Sequence, residues 1–215
     1  MLNLPKNGGL GKDTTDINLL FAASGDLRNV VRSLIGLPEE YNKTCTVVIN
    51  DHNSTIVVRN ILLLLIAYQF EEYEAVPMMI HLWYSAFLPK CMVEALQKTL
   101  LPRLDQVCNK IQHRSTEFIQ TETIRVENKS SLRIMLSKGN WFRLKAAITV
   151  PAGLTASAAN QVRQATTQGS TRADALEFEL FLRRPAKRAA WKAFCEDGVL
   201  LPFGSSRDSF DTPNP

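Results

Sequence analysis

Residues 17–36, INLLFAASGDLRNVVRSLIG, decide the fold. The run Ile17 to Ala23 is apolar and has the length of a fully buried strand, and it stops at Ser24-Gly25-Asp26. Leu27, Val30, Val31, Leu34 and Ile35 follow at i, i+3, i+4, i+7 and i+8. That spacing marks one helix face, with Arg28, Asn29, Arg32 and Ser33 on the wet side. Asp26 stands where an N-cap belongs, and Gly36 and Pro38 end the helix. A second strand, Thr44 to Ile49, is rich in β-branched residues and ends at Asn50-Asp51. His52-Asn53-Ser54 makes the next turn, with Ser54 as N-cap for a helix from Thr55 to Phe70. Two apolar strands joined by a helix predict a right-handed βαβ unit, its parallel strands covered on both faces.

The expected fold is therefore α/β, a Rossmann-like, methyltransferase-type parallel-sheet core with extra helices. Its expected extent is one domain over residues 17–210, between a flexible lead-in at 1–16 and a tail at 211–215. Downstream, the pattern stays helical from Glu71 to Gln112. Pro77, Pro89 and Pro102 are expected to cut it into pieces, Met78 to Leu88 and Lys90 to Leu101 being the clearest. Residues 114–131 read as a polar surface loop. Leu132 to Ile148 holds a helix with Trp141, Phe142 and Leu144, and 149–172 reads as a mobile or weakly helical loop. Asp174 to Leu182 is apolar-periodic, a helix opens at Arg183, and Gly198 to Gly204 is a hydrophobic docking segment.

Composition narrows the class. Hydrophobic residues make up 45% of the 215 and charged residues 21%, ordinary globular usage that argues against wholesale disorder. A chain of this size buries roughly 70% of its unfolded surface without a disulfide or metal staple. Cys45, Cys91, Cys108 and Cys195 are scattered with no CxxC pair, as expected of reduced thiols in a cytoplasmic protein. The Gly-rich N-terminus does not read as a secretory leader, and the apolar run Ile61 to Tyr68 is far short of the ~20 residues of a membrane span. A net charge of +4 permits an acidic partner or nucleic acid without requiring either.

The chemistry-bearing positions gather at the two strand ends. In nucleotide-binding α/β folds a glycine turn after the first strand lets a ligand approach the helix N-terminus. An acid at the end of the second strand, about 20 residues on, then holds the ribose. Ser24, Gly25 and Asp26 with Asn50 and Asp51 are the candidate cofactor-binding residues on that pattern. One glycine stands where the fingerprint has two or three, and Asp26 would repel a pyrophosphate. That disfavours NAD and leaves two readings open: S-adenosylmethionine as cofactor, or no cofactor, with Gly25 serving a tight turn and Asp26 a cap. Arg59-Asn60 interrupts an apolar helix. Arg59 either pairs with Asp26 or Asp51, or faces solvent.

Other constellations are weaker. His81 and Ser85 lie at i and i+4 without a nucleophile elbow or a third member, so aromatic packing explains HLWYS better than catalysis. No catalytic residue is assigned. His52, His81 and His113 lack partners at ligand spacing, so no metal site is expected. Arg183, Arg184, Lys187, Arg188 and Lys192 beside Trp191 read as a solvated face rather than a nucleic-acid surface.

The blocks GDLRNVV, INDHN followed by RN, and LLPFG, in that order over residues 16 to 204, carry a resemblance. The chain resembles a domain-of-unknown-function family, number 4470, of fungal proteins that often carry a MYND-type zinc finger. It is also similar to the N-terminal domain of dynein axonemal assembly factor three. The resemblance implies a degenerate methyltransferase-type domain with protein partners, used for assembly or scaffolding. Gly25 and Asp26 match its first-turn motif, and Asn50, Asp51, Arg59 and Asn60 its second block. The zinc-finger cysteines are absent from this sequence.

Overall fold

The computed structural model describes residues 16–125, 130–167, 185–202 and 204–215. The chain divides into two compact units, Met1–Ile61 and Leu62–Pro215. Asp174 to Leu182, Arg183, Arg184 and Phe203 lie outside the described residues, as does all of the lead-in but Asp16.

In the first unit, β1 (Ile17–Ala22) is followed by α1 (Arg28–Ile35) and β2 (Cys45–Asn50). The two strands pair in parallel, Ile17 opposite Cys45 through Ala22 opposite Asn50. Strand, helix and parallel strand thus stand in the expected order. Burial departs from expectation. Both strands alternate between half-buried and exposed positions. Leu20 and Val48, opposite each other in the register, are 68% and 51% exposed. A continuous apolar run suits a strand covered on both faces, yet here the second face stays open. Leu27, Val30 and Ser33 are the buried positions at α1, while Val31, Leu34 and Ile35 are exposed. Thr44 is fixed at the start of β2 by hydrogen bonds from its N–H to Asp16 and from the Tyr41 hydroxyl to its carbonyl.

α2 (Ser54–Gln69) crosses from one unit into the next. Its N-cap is Asn53 rather than the expected Ser54: the Asn53 Oδ1 accepts from Thr55 N at 2.9 Å. In the second unit α3 (Glu72–Tyr84), β3 (Phe87–Leu88) and α4 (Lys90–Lys110) follow. Pro89 breaks the pattern as expected, but Pro77 and Pro102 sit inside continuous helices. Each removes one helical hydrogen bond. At Pro102 the buried Leu100 and Leu104 on either side carry the helix past it by packing.

The expected loop at 114–131 contains a strand and the start of its partner. β4 (Ile119–Arg125) pairs antiparallel with β5 (Ser131–Ser137), Ile119 opposite Ser137. Leu132, Ile134 and Leu136 alternate with Arg133 and Met135, a period of two in the part of 132–148 that precedes its expected helix. The helix begins later, as α5 (Lys138–Ala146), capped by the Ser137 hydroxyl. α5 packs against α4 and β5. Its Trp141 is 1% exposed and donates its indole N–H to the Gln120 carbonyl at 3.1 Å. Burying such a ring is worth about 4–6 kcal/mol at most. Residues 149–172, read as a mobile or weakly helical loop, contain α6 (Ala156–Thr167). The chain ends with α7 (Pro185–Asp197) and β6 (Thr212–Pro213), which pairs antiparallel with β3. Among the described residues no helix is long and apolar enough to cross a membrane.

Candidate functional site

The candidate residues of the first unit meet at one turn. Ser24 N donates to the Asn50 carbonyl at 3.0 Å, so the last rung of the parallel pair sets the two strand ends side by side. The chain then reverses through Ala23 and Gly25, whose φ angles are +53° and +60°. Gly25 adopts that conformation freely, whereas Ala23 is a strained left-handed residue of the kind that clusters at turns with a role.

The Asp51 carboxylate holds this turn. Its Oδ2 accepts from Gly25 N at 2.8 Å and its Oδ1 from Asn53 N at 2.8 Å. Those two N–H donors, Asn53 first, hold the Asp51 carboxyl below its ordinary value. Asn60, 2% exposed on α2, donates from Nδ2 to the Gly25 carbonyl at 2.7 Å. The peptide units on both sides of the Gly25 Cα are thereby clamped by side chains of the second block. Among the described residues the buried Asn60 Oδ1 has no hydrogen-bond partner. Ser24 is half-buried, its hydroxyl 3.3 Å from the Gly25 carbonyl.

Asp26 points its charge elsewhere. It accepts from Arg28 N at 3.0 Å and pairs with the Arg28 guanidinium at 2.6 Å, which holds its carboxyl low. Arg59 contributes a smaller favourable field at Asp26. Arg59 was read either as a partner of Asp26 or Asp51 or as facing solvent, and the bond from the neighbouring Asn60 to the Gly25 carbonyl was not foreseen. Asn53 was missed as well, although an Asn two residues after an Asp and two before a Thr is a capping signal.

A cofactor of the S-adenosylmethionine type would need a glycine turn that it can approach and a carboxylate for its ribose. Among the described residues, chain neighbours aside, nothing lies within 4 Å of where a Cβ on Gly25 would stand, so approach is open. The Gly25 N–H is already bound to Asp51, and both Asp51 oxygens already accept backbone bonds. The residues therefore fit such a cofactor poorly.

In the second unit His81 Nδ1 lies 3.0 Å from the Ser85 Oγ, and both residues are buried. The hydroxyl also accepts from Leu200 N at 3.1 Å, and the imidazole meets Phe210 edge-on with ring centroids 4.9 Å apart. Burial pushes the His81 imidazole below its ordinary value. This is a buried neutral pair that ties α3 to the chain near Leu200, with no exposed nucleophile. Among the described residues no group of His, Cys, Asp or Glu could hold a metal ion. On α7, Lys187 and Arg188 are exposed and Lys192 reaches Glu196 at 3.8 Å, a solvated helix face.

No curated protein and no solved structure matches the chain. Residues 1–88, which contain the whole Gly25–Asp51–Asn60 cluster and run through α3 to β3, match the model of the family described as Domain of unknown function (DUF4470).

Proposed function

We propose that this chain is a non-catalytic, Rossmann-like domain that works as a protein-interaction or assembly module. The observation that carries the reading is the Asp51 carboxylate seated on the Gly25 N–H. In a cofactor-binding turn that donor faces the ligand. Here a side chain of the same unit satisfies it, and the carboxylate serves to lock the turn. Support for an interaction role comes from the open sheet face with Leu20 and Val48, and from Ile35, 77% exposed on α1. Exposed apolar groups on adjoining elements are what protein partners cover. The resemblance to the assembly-factor N-terminal domain points the same way.

One observation favours a second reading, an S-adenosylmethionine-dependent methyltransferase: the open space before Gly25. Calorimetric titration of the folded chain with S-adenosylmethionine and S-adenosylhomocysteine separates the two. The interaction module gives no heat of binding with either. Micromolar binding that disappears in Asp51→Ala would overturn it and establish the transferase.

A further inference from the structure

α3 carries two apolar faces. Ala75, Met78 and His81 form the buried one. Tyr73, Val76, Ile80 and Tyr84 form a second at spacings of three, four and four residues, and they are 76%, 49%, 40% and 44% exposed. At 3.6 residues per turn these four lie on one side of the helix, turned away from the buried face. Trp83 stacks on Tyr84 at 5.5 Å and extends the stripe at its C-terminal end. Tyrosine and tryptophan supply large, stiff contact area and are favoured where partners dock.

Charge says what covers the stripe. Glu71, Glu72 and Glu74 are exposed at the N-terminal end of α3, and among the described residues none of them is in an ion pair. Carboxylates gathered there call for cationic donors. A second copy of α3 does not answer that need. Parallel pairing sets glutamates against glutamates, and antiparallel pairing sets them against the negative end of the helix dipole.

We propose that the Tyr73–Val76–Ile80–Tyr84 stripe docks an amphipathic helix of a partner protein, one with an apolar seam and lysine or arginine beside it. This rests on the interaction-module reading and gives the chemistry of its partner. The test uses the full chain and two synthetic helical peptides, each with leucines at heptad a and d positions. One is flanked by lysines and the other by glutamates. Fluorescence anisotropy is expected to show the lysine peptide binding at least about tenfold more tightly. Val76→Ser/Ile80→Ser is expected to weaken it about tenfold or more, and Glu72→Gln/Glu74→Gln about threefold, with unchanged circular dichroism. Equal affinity for both peptides would overturn the proposal, as would binding indifferent to the serine pair. A concentration-dependent dimer of the free chain, abolished by the serine pair, would assign the stripe to a second copy and also overturn it. S-adenosylmethionine binding with intact peptide binding would sink the non-catalytic reading and leave the docking face standing.

Discussion

Gly25 and Gly198, two of the glycines with left-handed φ angles, stand at turns whose surroundings are opposite. Gly25 has a φ of +60° and, among the described residues, nothing within 4 Å of a Cβ position, whereas Gly198, with φ +74°, faces Arg163 and the Ala86 side chain. Gly198 N closes on Phe194 O at the end of α7, and its carbonyl accepts from Ala86 N at 2.7 Å. Arg163, 6% exposed, donates from its guanidinium to the Cys195 carbonyl, placing a cation at the helix C-terminus. Crowding therefore dictates glycine at 198, while at 25 only the backbone angle does. A glycine enclosed by its own chain is a packing device. One with open space before it is a surface, and the Asp51 and Asn60 clamp keeps that surface in shape.

The comparison breaks most readily at Gly198. A Cβ there overlaps Arg163 Cδ and touches the Ala86 Cβ at 3.0 Å, besides adopting an unfavourable φ. Gly198→Ala should cost about 2–4 kcal/mol. Urea unfolding checks this. A cost below about 1 kcal/mol would mean that Arg163 moves aside freely and that the crowding is not structural.

Second in size is the amide that closes the same region. Asn214 Nδ2 lies 2.6 Å from the Ser85 carbonyl and 3.2 Å from that of Leu82, and Asn214 N donates to the Ala86 carbonyl at 2.9 Å. Asn214→Ala leaves the end of α3 without its side-chain donor and should cost about 1–3 kcal/mol. Hydrogen exchange is expected to speed at the Phe87–Leu88 and Thr212–Pro213 pairing, while the amides of α4 stay protected. Uniform loss of protection would show that the clasp cannot open independently of the unit.

How much of this was legible follows the range of each interaction. The β1, α1 and β2 order and the Gly25 turn were readable because the strand runs and the turn glycine lie within a few positions of one another, while the expected caps Asp26 and Ser54 gave way to Leu27 and Asn53. Asp51 was singled out for a ribose, and its bond to Gly25 N was not, since pairing across 26 residues leaves no local trace. The 119–137 hairpin was lost because Thr121, Glu122 and Thr123 are polar on both faces, which hides the period of two. Asn214 was set down as tail, because nothing near it in sequence betrays that it docks 129 residues upstream.

The first unit tests the other half of the comparison with a pair of opposite changes. Gly25→Ala meets no atom and bears only the left-handed penalty, about 1–2 kcal/mol. Ala23→Gly relieves the same penalty at φ +53° and should stabilise by about 0.5–1 kcal/mol after the entropy cost of a new glycine. Thermal unfolding of both variants reads the sign directly. Should Ala23→Gly destabilise, the Ala23 methyl contributes packing that outweighs its strain.

The gentlest probe is pH, which separates the two regions by where each loses stability. His81 titrates below its ordinary value of 6.5 in the fold because it is buried. The unfolded chain then binds the proton more readily, so stability is full above about 6.5 and falls as pH drops from there through the lowered value. Asp51 and Asp26 are also lowered, from 3.8, by backbone and arginine donors. Their contribution is full above that value and is lost only in stronger acid. A scan of unfolding free energy from pH 8 to pH 3 should accordingly fall in an upper window that opens below about 6.5 and a lower one that opens below about 3.8. His81→Gln is expected to flatten the upper one and Asp51→Asn to shrink the lower. An upper window that survives His81→Gln would remove the buried imidazole from the account of the clasp.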